Sequence, residues 1–323
     1  MIKGHGDDSY QYEHIKIDFS SNICAHADHQ FLMNHLMIRP ELISHYPEPE
    51  AWSLERLIAE REGIDPACVI VTGGATEAIY LVAQTFRYLP HIPQPTFSEY
   101  ADACRMYPQT AKSKLSIWLC NPNNPTGSML PQERIDDALF YANLVVIDQS
   151  YEHYTEQPVM SAFEAVKKKK VIQLHSMTKT YGVPGLRLGY IVAAKRIAAQ
   201  LRRHLHPWSV SSMAIEAGKF LLNHDELICR PDLAEAQRLS NLLNGIEGIS
   251  VVPTHTNFML CKTDKCTAAN LKEFLAHEHR MLIRDASNFE ELTHQHFRIA
   301  AQMPEANDAL VAAIREFVNN NKD

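Results

Sequence analysis

The chain has 323 residues, 46% of them hydrophobic and 21% charged, and its 31 lysines and arginines against 38 aspartates and glutamates leave a formal charge of −7. That balance is ordinary for a globular protein, which excludes disordered, collagen-like and coiled-coil chains, and at about 150 residues per domain the length accommodates two domains. A net negative chain without a sustained basic stripe is not expected to bind nucleic acid, since affinity for phosphate backbones needs clustered cations.

The four lysines at 167–170 read as a solvated helix end ahead of a buried strand. Seven cysteines, at 24, 68, 104, 120, 229, 261 and 266, are scattered without a C-x-x-C pair. That spacing argues against a disulfide framework or a zinc site, and a cytoplasmic location is expected. The first residues contain no apolar signal region, and no apolar stretch approaches the roughly 18 residues of a membrane span.

Along the chain, short apolar runs alternate with helical patterns, the signature of a mostly parallel sheet flanked by helices. Strands are predicted at 68–72, 116–120, 144–148, 171–175 and 188–193, with helices near 75–88, 131–142, 195–205 and 210–223. From about residue 226 the rhythm changes to a polar helix at 231–245, strands at 249–252, 256–261, 281–284 and 296–300, and a last helix at 304–320. The expected fold class is α/β: a large domain over 45–225 and a smaller α+β domain over 226–323, with an arm, 1–44, contributing to the small domain and the active site.

Four segments carry chemistry. Gly73-Gly74-Ala75-Thr76-Glu77 ends a strand and opens a helix, so the amides of Ala75 and Thr76 can point at a phosphate with the helix dipole behind them. Asn121-Pro-Asn-Asn-Pro-Thr-Gly127 closes the next strand as a rigid turn. Val145-Val-Ile-Asp148 is an apolar strand ending in a carboxylate, followed by Gln149, Ser150 and Tyr151. In Ser176-Met-Thr-Lys179 a lysine follows a buried strand, where its amine can face a crevice and form a Schiff base. Taken singly, three of them have a plain alternative: a glycine turn, a strand cap, a surface lysine.

Together, in this order, they resemble the fold-type I pyridoxal-phosphate enzymes of the aspartate aminotransferase superfamily, the class I/II aminotransferases. The resemblance implies pyridoxal 5′-phosphate as cofactor, with Lys179, Asp148 and Tyr151 as catalytic residues. It implies that Asp148 holds the proton of the ring nitrogen, that Asn124 and Tyr151 meet the ring 3-hydroxyl, and that Phe97 stacks on the ring. Ala75, Thr76, Ser176 and Arg187 would hold the phosphate, and Tyr46 would reach the phosphate of the other subunit in a homodimer with shared sites.

Gly4-His5-Gly6-Asp7, the segments 17–23 and 183–190, Pro207-Trp-Ser-Val210 and Met281-Leu-Ile-Arg284 narrow the likeness. They resemble the threonine-phosphate decarboxylases of cobalamin biosynthesis, against the related histidinol-phosphate aminotransferases, which share the 121–127 and 185–190 signatures. This implies a small phosphorylated amino acid or amino alcohol as substrate, bound by His5, Gly6, Asn22, Asn124, Arg284 and Arg298. A catalytically idle ligand-binding paralogue is the alternative of a different class. Three departures stand out: Ile-Cys-Ala-His-Ala-Asp after Asn22 in place of a Pro-Leu-Gly turn, Asp-Gln-Ser in place of Asp-Glu-Ala at 148–150, and only 24 positions from Phe97 to Asn121, where the family has more.

Overall fold

The computed structural model describes residues 8–24 and 27–320. The strands, in chain order, begin with β1 (Ile17–Asp18), β2 (Val69–Thr72), β3 (Tyr88–His91), β4 (Ala111–Cys120), β5 (Leu144–Asp148), β6 (Val171–Ser176) and β7 (Gly189–Ala193). All but β1 join one six-stranded sheet in the order β2-β7-β6-β5-β4-β3, in which β7 runs antiparallel to both neighbours and the other pairs are parallel. Every residue of β5 is buried, because both faces of the sheet are covered. On one face Val146 packs with Ile79 and Val82 of helix Ala75–Phe86, and on the other Val145 and Ile147 pack with Ile135 and Ala138 of helix Gln132–Tyr141. The parallel register sets Cys120 beside Asp148 and Asp148 beside Leu174, so the carboxyl ends of β4, β5 and β6 share one edge.

The remaining strands are β8 (Ile249–Val251), β9 (Phe258–Thr263), β10 (Met281–Leu282), β11 (Arg284–Asp285) and β12 (His296–Ala300). Four form an antiparallel sheet in the order β11-β12-β9-β8, while β1 pairs in parallel with β10. Phe19, just after β1, is fully buried in the same core as Leu239, Leu271, Ile299 and Leu310.

Several predicted elements shift. The helix expected over 75–88 stops at Phe86, where Arg87 turns left-handed at φ 42, and the chain re-enters the sheet as β3. Sequence reading overlooks β3 because Pro90 removes a strand donor; such a residue is tolerated only at a sheet edge, which is where β3 lies. The strand predicted at 116–120 begins at Ala111, and the strand predicted at 281–284 divides between two partners, β10 with β1 and β11 with β12. The short stretch after Phe97 holds helix Glu99–Met106.

The 121–127 turn is braced on both sides. Asn123 accepts from the Thr96 hydroxyl at 2.8 Å and donates to the Pro95 carbonyl at 3.0 Å, while the His255 amide donates to the Gly127 carbonyl at 2.9 Å. Gly127 sits at φ +70, and a Cβ there would overlap the Thr254 hydroxyl and stand 2.5 Å from the Phe258 carbonyl. Gly127→Ala therefore combines backbone strain with a clash and should cost about 3 kcal/mol. Urea unfolding measures it, and a loss under about 0.5 kcal/mol would contradict this packing.

Candidate active site

A cavity of about 380 Å³ opens at the carboxyl edge of the parallel strands. One end is built to receive an anion. Helix Ala75–Phe86 starts there after Gly74 at φ +94, and Ala75 and Thr76 line the cavity with amides that no preceding helical turn can use. The Arg187 guanidinium lies over Gly74 so closely that a Cβ there would be 2.8 Å from Nη2. Ser176 closes β6 on the same wall, and the Thr178 hydroxyl is buried beside it with no hydrogen-bond partner.

The floor is Asp148, 4% exposed. Its Oδ2 accepts from the Tyr100 hydroxyl at 2.7 Å and its Oδ1 from the Ser150 amide at 2.9 Å. Burial raises the pKa of the carboxyl, and the Ser150 and Tyr100 donors with nearby His175 pull it back. Phe97 lines the cavity and meets the Tyr100 ring edge-on, centroids 5.7 Å apart. Lys179 lies in the single helical turn Met177–Thr180, its carbonyl accepting from the Tyr154 hydroxyl at 3.0 Å. Lys179 Nζ stands 5.8 Å from the centre of the Tyr151 ring. The Tyr151 hydroxyl accepts from Asn22 at 3.3 Å, and burial pushes its pKa up to about 12 against the opposing charge of Arg298. Asn22 keeps a buried Oδ1 with no partner.

At the far end, the pairing of β11 with β12 sets Arg284 directly opposite Arg298, both 5% exposed. Arg298 donates to Asn124 Oδ1 and to the Ser20 carbonyl, each at 2.6 Å, and its Nε has no partner. Among the described residues no carboxylate lies within ion-pair distance of it. Burial pushes Arg298 down to about 10, and the Arg284 charge adds to this. Arg284, lowered by burial too, donates to Asn288 at 2.9 Å and faces the Phe289 ring at 6.0 Å. Like charges facing across a sheet are unfavourable alone; the Asp8 and Asp285 charges offset this at Arg284, and an anionic ligand at Arg298 would offset it there.

Residues 108–314 match the family model for aminotransferase class I and II. The chain belongs to the class I and II aminotransferase family. It superposes on the crystal structure of L-threonine-O-3-phosphate decarboxylase from Porphyromonas gingivalis with a TM-score of 0.88 at 35% identity, covering 94% of this chain and all of that one. Histidinol-phosphate aminotransferase of Caldanaerobacter subterraneus subsp. tengcongensis is 29% identical, over 85% of this chain and 84% of the relative. Threonine-phosphate decarboxylase of Salmonella typhimurium is 26% identical, over 93% of this chain and 90% of the relative.

The cofactor of a class I/II aminotransferase is pyridoxal 5′-phosphate, and the cavity suits it part by part. The unpartnered Thr178 hydroxyl, the helix-start amides and Arg187 match a phosphate, the buried Asp148 matches a cationic ring nitrogen, and the Lys179 amine stands at the same cavity. Of the residues singled out from sequence, Asn22, Ala75, Thr76, Phe97, Asn124, Asp148, Tyr151, Ser176, Lys179, Arg187, Arg284 and Arg298 line this one cavity. Tyr46 does not: it is 85% exposed and packs on Trp208 with centroids 5.4 Å apart. His5 and Gly6 lie outside the described residues. Sequence reading missed Tyr100, Ser150 and Thr178, although each falls inside or next to a segment it used; the only signal was a polar side chain beside a motif residue. No helix among the described residues is long and apolar enough to cross a membrane.

Behind the site of this aminotransferase-family chain, His175 Nδ1 meets Glu152 Oε1 at 2.9 Å and the imidazole stacks flat on Tyr190 at 4.4 Å. Burial lowers the His175 pKa, but Glu152, together with the Glu62 and Asp148 charges, outweighs it and the net shift is upward from 6.5; burial raises Glu152, but His175, together with His153, outweighs it and the net shift is downward from 4.5. A raised histidine stabilises below its unfolded pKa and loses this as pH rises through the folded value; a lowered carboxylate stabilises above its unfolded pKa and loses this as pH falls. The pair therefore contributes fully between 4.5 and 6.5. Wild type should exceed Glu152→Gln in melting temperature most near pH 6, with the gap narrowing toward pH 9. A gap independent of pH would contradict the assignment.

Proposed function

We propose that this chain decarboxylates L-threonine O-3-phosphate to 1-amino-2-propanol phosphate and CO₂, for cobalamin biosynthesis. The observation that carries the reading is the facing pair Arg284 and Arg298 at one end of the cavity, with Arg298 lacking a carboxylate partner among the described residues. The proposed substrate has two anionic groups, and two buried guanidiniums give each a directed donor. The similarity to threonine-phosphate decarboxylases in both sequence and structure supports the same choice.

Pyridoxal 5′-phosphate, when bound, supplies an electron sink for the bond broken at the substrate Cα. Asp148 would keep the ring nitrogen protonated, Asn124 and Tyr151 would hold the 3-hydroxyl, Phe97 would stack on the ring, and Ala75, Thr76, Ser176 and Arg187 would hold the phosphate. Lys179 would be the covalent anchor and the acid that delivers a proton to Cα. Arg284 and Arg298, with Asn22, Asn124, His5 and Gly6, fix the substrate so that its carboxylate, rather than its Cα–H bond, is the group in line to leave. In this reading the large domain, 45–225, supplies the cofactor contacts, and the small domain with the N-terminal arm supplies most of the substrate contacts. Tyr46 serves the neighbouring site of a homodimer, which accounts for its exposure in a single chain.

The test compares L-threonine O-3-phosphate with unphosphorylated L-threonine, and with histidinol phosphate plus 2-oxoglutarate. The phosphorylated amino acid should be preferred over L-threonine by at least about a hundredfold in kcat/KM, as expected when a charge-assisted contact is lost and a buried cation is left unpaired. Turnover of histidinol phosphate to glutamate, with none of threonine phosphate, would assign the chain to aminotransfer instead.

A further inference from the structure

We propose that Tyr100 is a positioning residue that, with the Ser150 backbone amide, holds Asp148 as a carboxylate and so favours keeping its shared proton on the cofactor ring nitrogen. This rests on the reading of Asp148 given above. Each Asp148 oxygen already has a protein donor, Tyr100 on Oδ2 at 2.7 Å and the Ser150 amide on Oδ1 at 2.9 Å. The Tyr100 side chain is 1% exposed and wedged between Phe97 and Trp118, with centroids 5.7 and 5.8 Å away, so its hydroxyl is aimed by packing. Both residues line the cavity.

The other titratable groups facing Asp148 are the Cys120 thiol on β4, the Tyr151 hydroxyl and the His175 imidazole on β6. Burial leaves the thiol and the phenol neutral, raising each to about 12. One proton lies between the carboxylate and the ring nitrogen, and it resides on the group with the greater affinity for it. Donors to the carboxylate lower that group's proton affinity, so the proton stays on nitrogen and the ring withdraws electrons more strongly. Without the donors the balance would shift toward a proton on Asp148 and a more neutral ring.

The test binds ring-¹⁵N pyridoxal 5′-phosphate to the full chain and reads the nitrogen chemical shift beside kcat and KM. Wild type should show a protonated ring. Tyr100→Phe should move the shift toward the neutral value and lower kcat about tenfold with KM unchanged, the expected cost of one hydrogen bond to a charged group. Ser150→Ala, which keeps the backbone amide that donates to Asp148, should leave the shift near wild type. Should Tyr100→Phe fail to fold, Trp118→Phe, which loosens the packing that aims the Tyr100 hydroxyl, is read in its place and should move the shift the same way. If Tyr100→Phe, or Trp118→Phe in its place, keeps the wild-type shift while Asp148→Asn loses it, this inference falls and the role of Asp148 stands. If Asp148→Asn also keeps it, both fall.

Discussion

Lys179→Ala should lose at least about a thousandfold in turnover, since both covalent anchoring and proton delivery leave with one amine. The rest of the cavity should still bind the cofactor. Arg187, the start of helix Ala75–Phe86 and Asp148 are set by backbone elements that do not depend on the lysine side chain. Equilibrium dialysis should therefore find pyridoxal 5′-phosphate retained, and borohydride should fix none of it to the protein, whereas in wild type borohydride should fix it at residue 179. Turnover within about tenfold of wild type would mean that another group carries the proton.

Arg298→Ala should raise KM for the phosphorylated substrate about a hundredfold or more, the scale expected when one side of a buried charge contact is removed. Arg298→Lys should recover little of it. The arginine divides its two Nη groups between Asn124 and Ser20 while its Nε remains unpartnered, and an ammonium cannot reproduce that fork. The cofactor absorption should persist in both variants, because the phosphate end of the cavity is formed by other residues. Loss of the cofactor band with an unchanged KM would place Arg298 at the cofactor rather than at the substrate.

What could be read from sequence was local. β5 is legible because five buried residues in a row, Leu144–Asp148, leave no helical or alternating pattern to compete. The turn 121–127 is legible because its prolines and asparagines allow few conformations. β3 was not, since Pro90 reads as a breaker until the edge position of the strand is known.

What escaped is which distant residues meet. Tyr100 reaches Asp148 across 48 positions, and Arg298 reaches Asn124 across 174. That Arg284 faces Arg298 follows from a two-residue strand too short to show a period. Of the departures, Gln149 has a physical account: its side chain accepts from Gln173 at 2.6 Å and donates to the Met160 carbonyl at 3.1 Å, a neutral brace that leaves Asp148 at the strand end. Beyond Asn22, the Cys24 amide donates to the Tyr154 hydroxyl at 3.1 Å, tying the arm to the residue that also holds the Lys179 carbonyl.

Which bond at Cα breaks is the central claim, and carboxyl-labelled L-threonine O-3-phosphate given to the holoenzyme without any 2-oxo acid tests it most directly. The proposed decarboxylation predicts labelled CO₂ in step with 1-amino-2-propanol phosphate over many turnovers. Label that stays in the organic fraction, with the amino group leaving only when a 2-oxo acid is supplied, would contradict it.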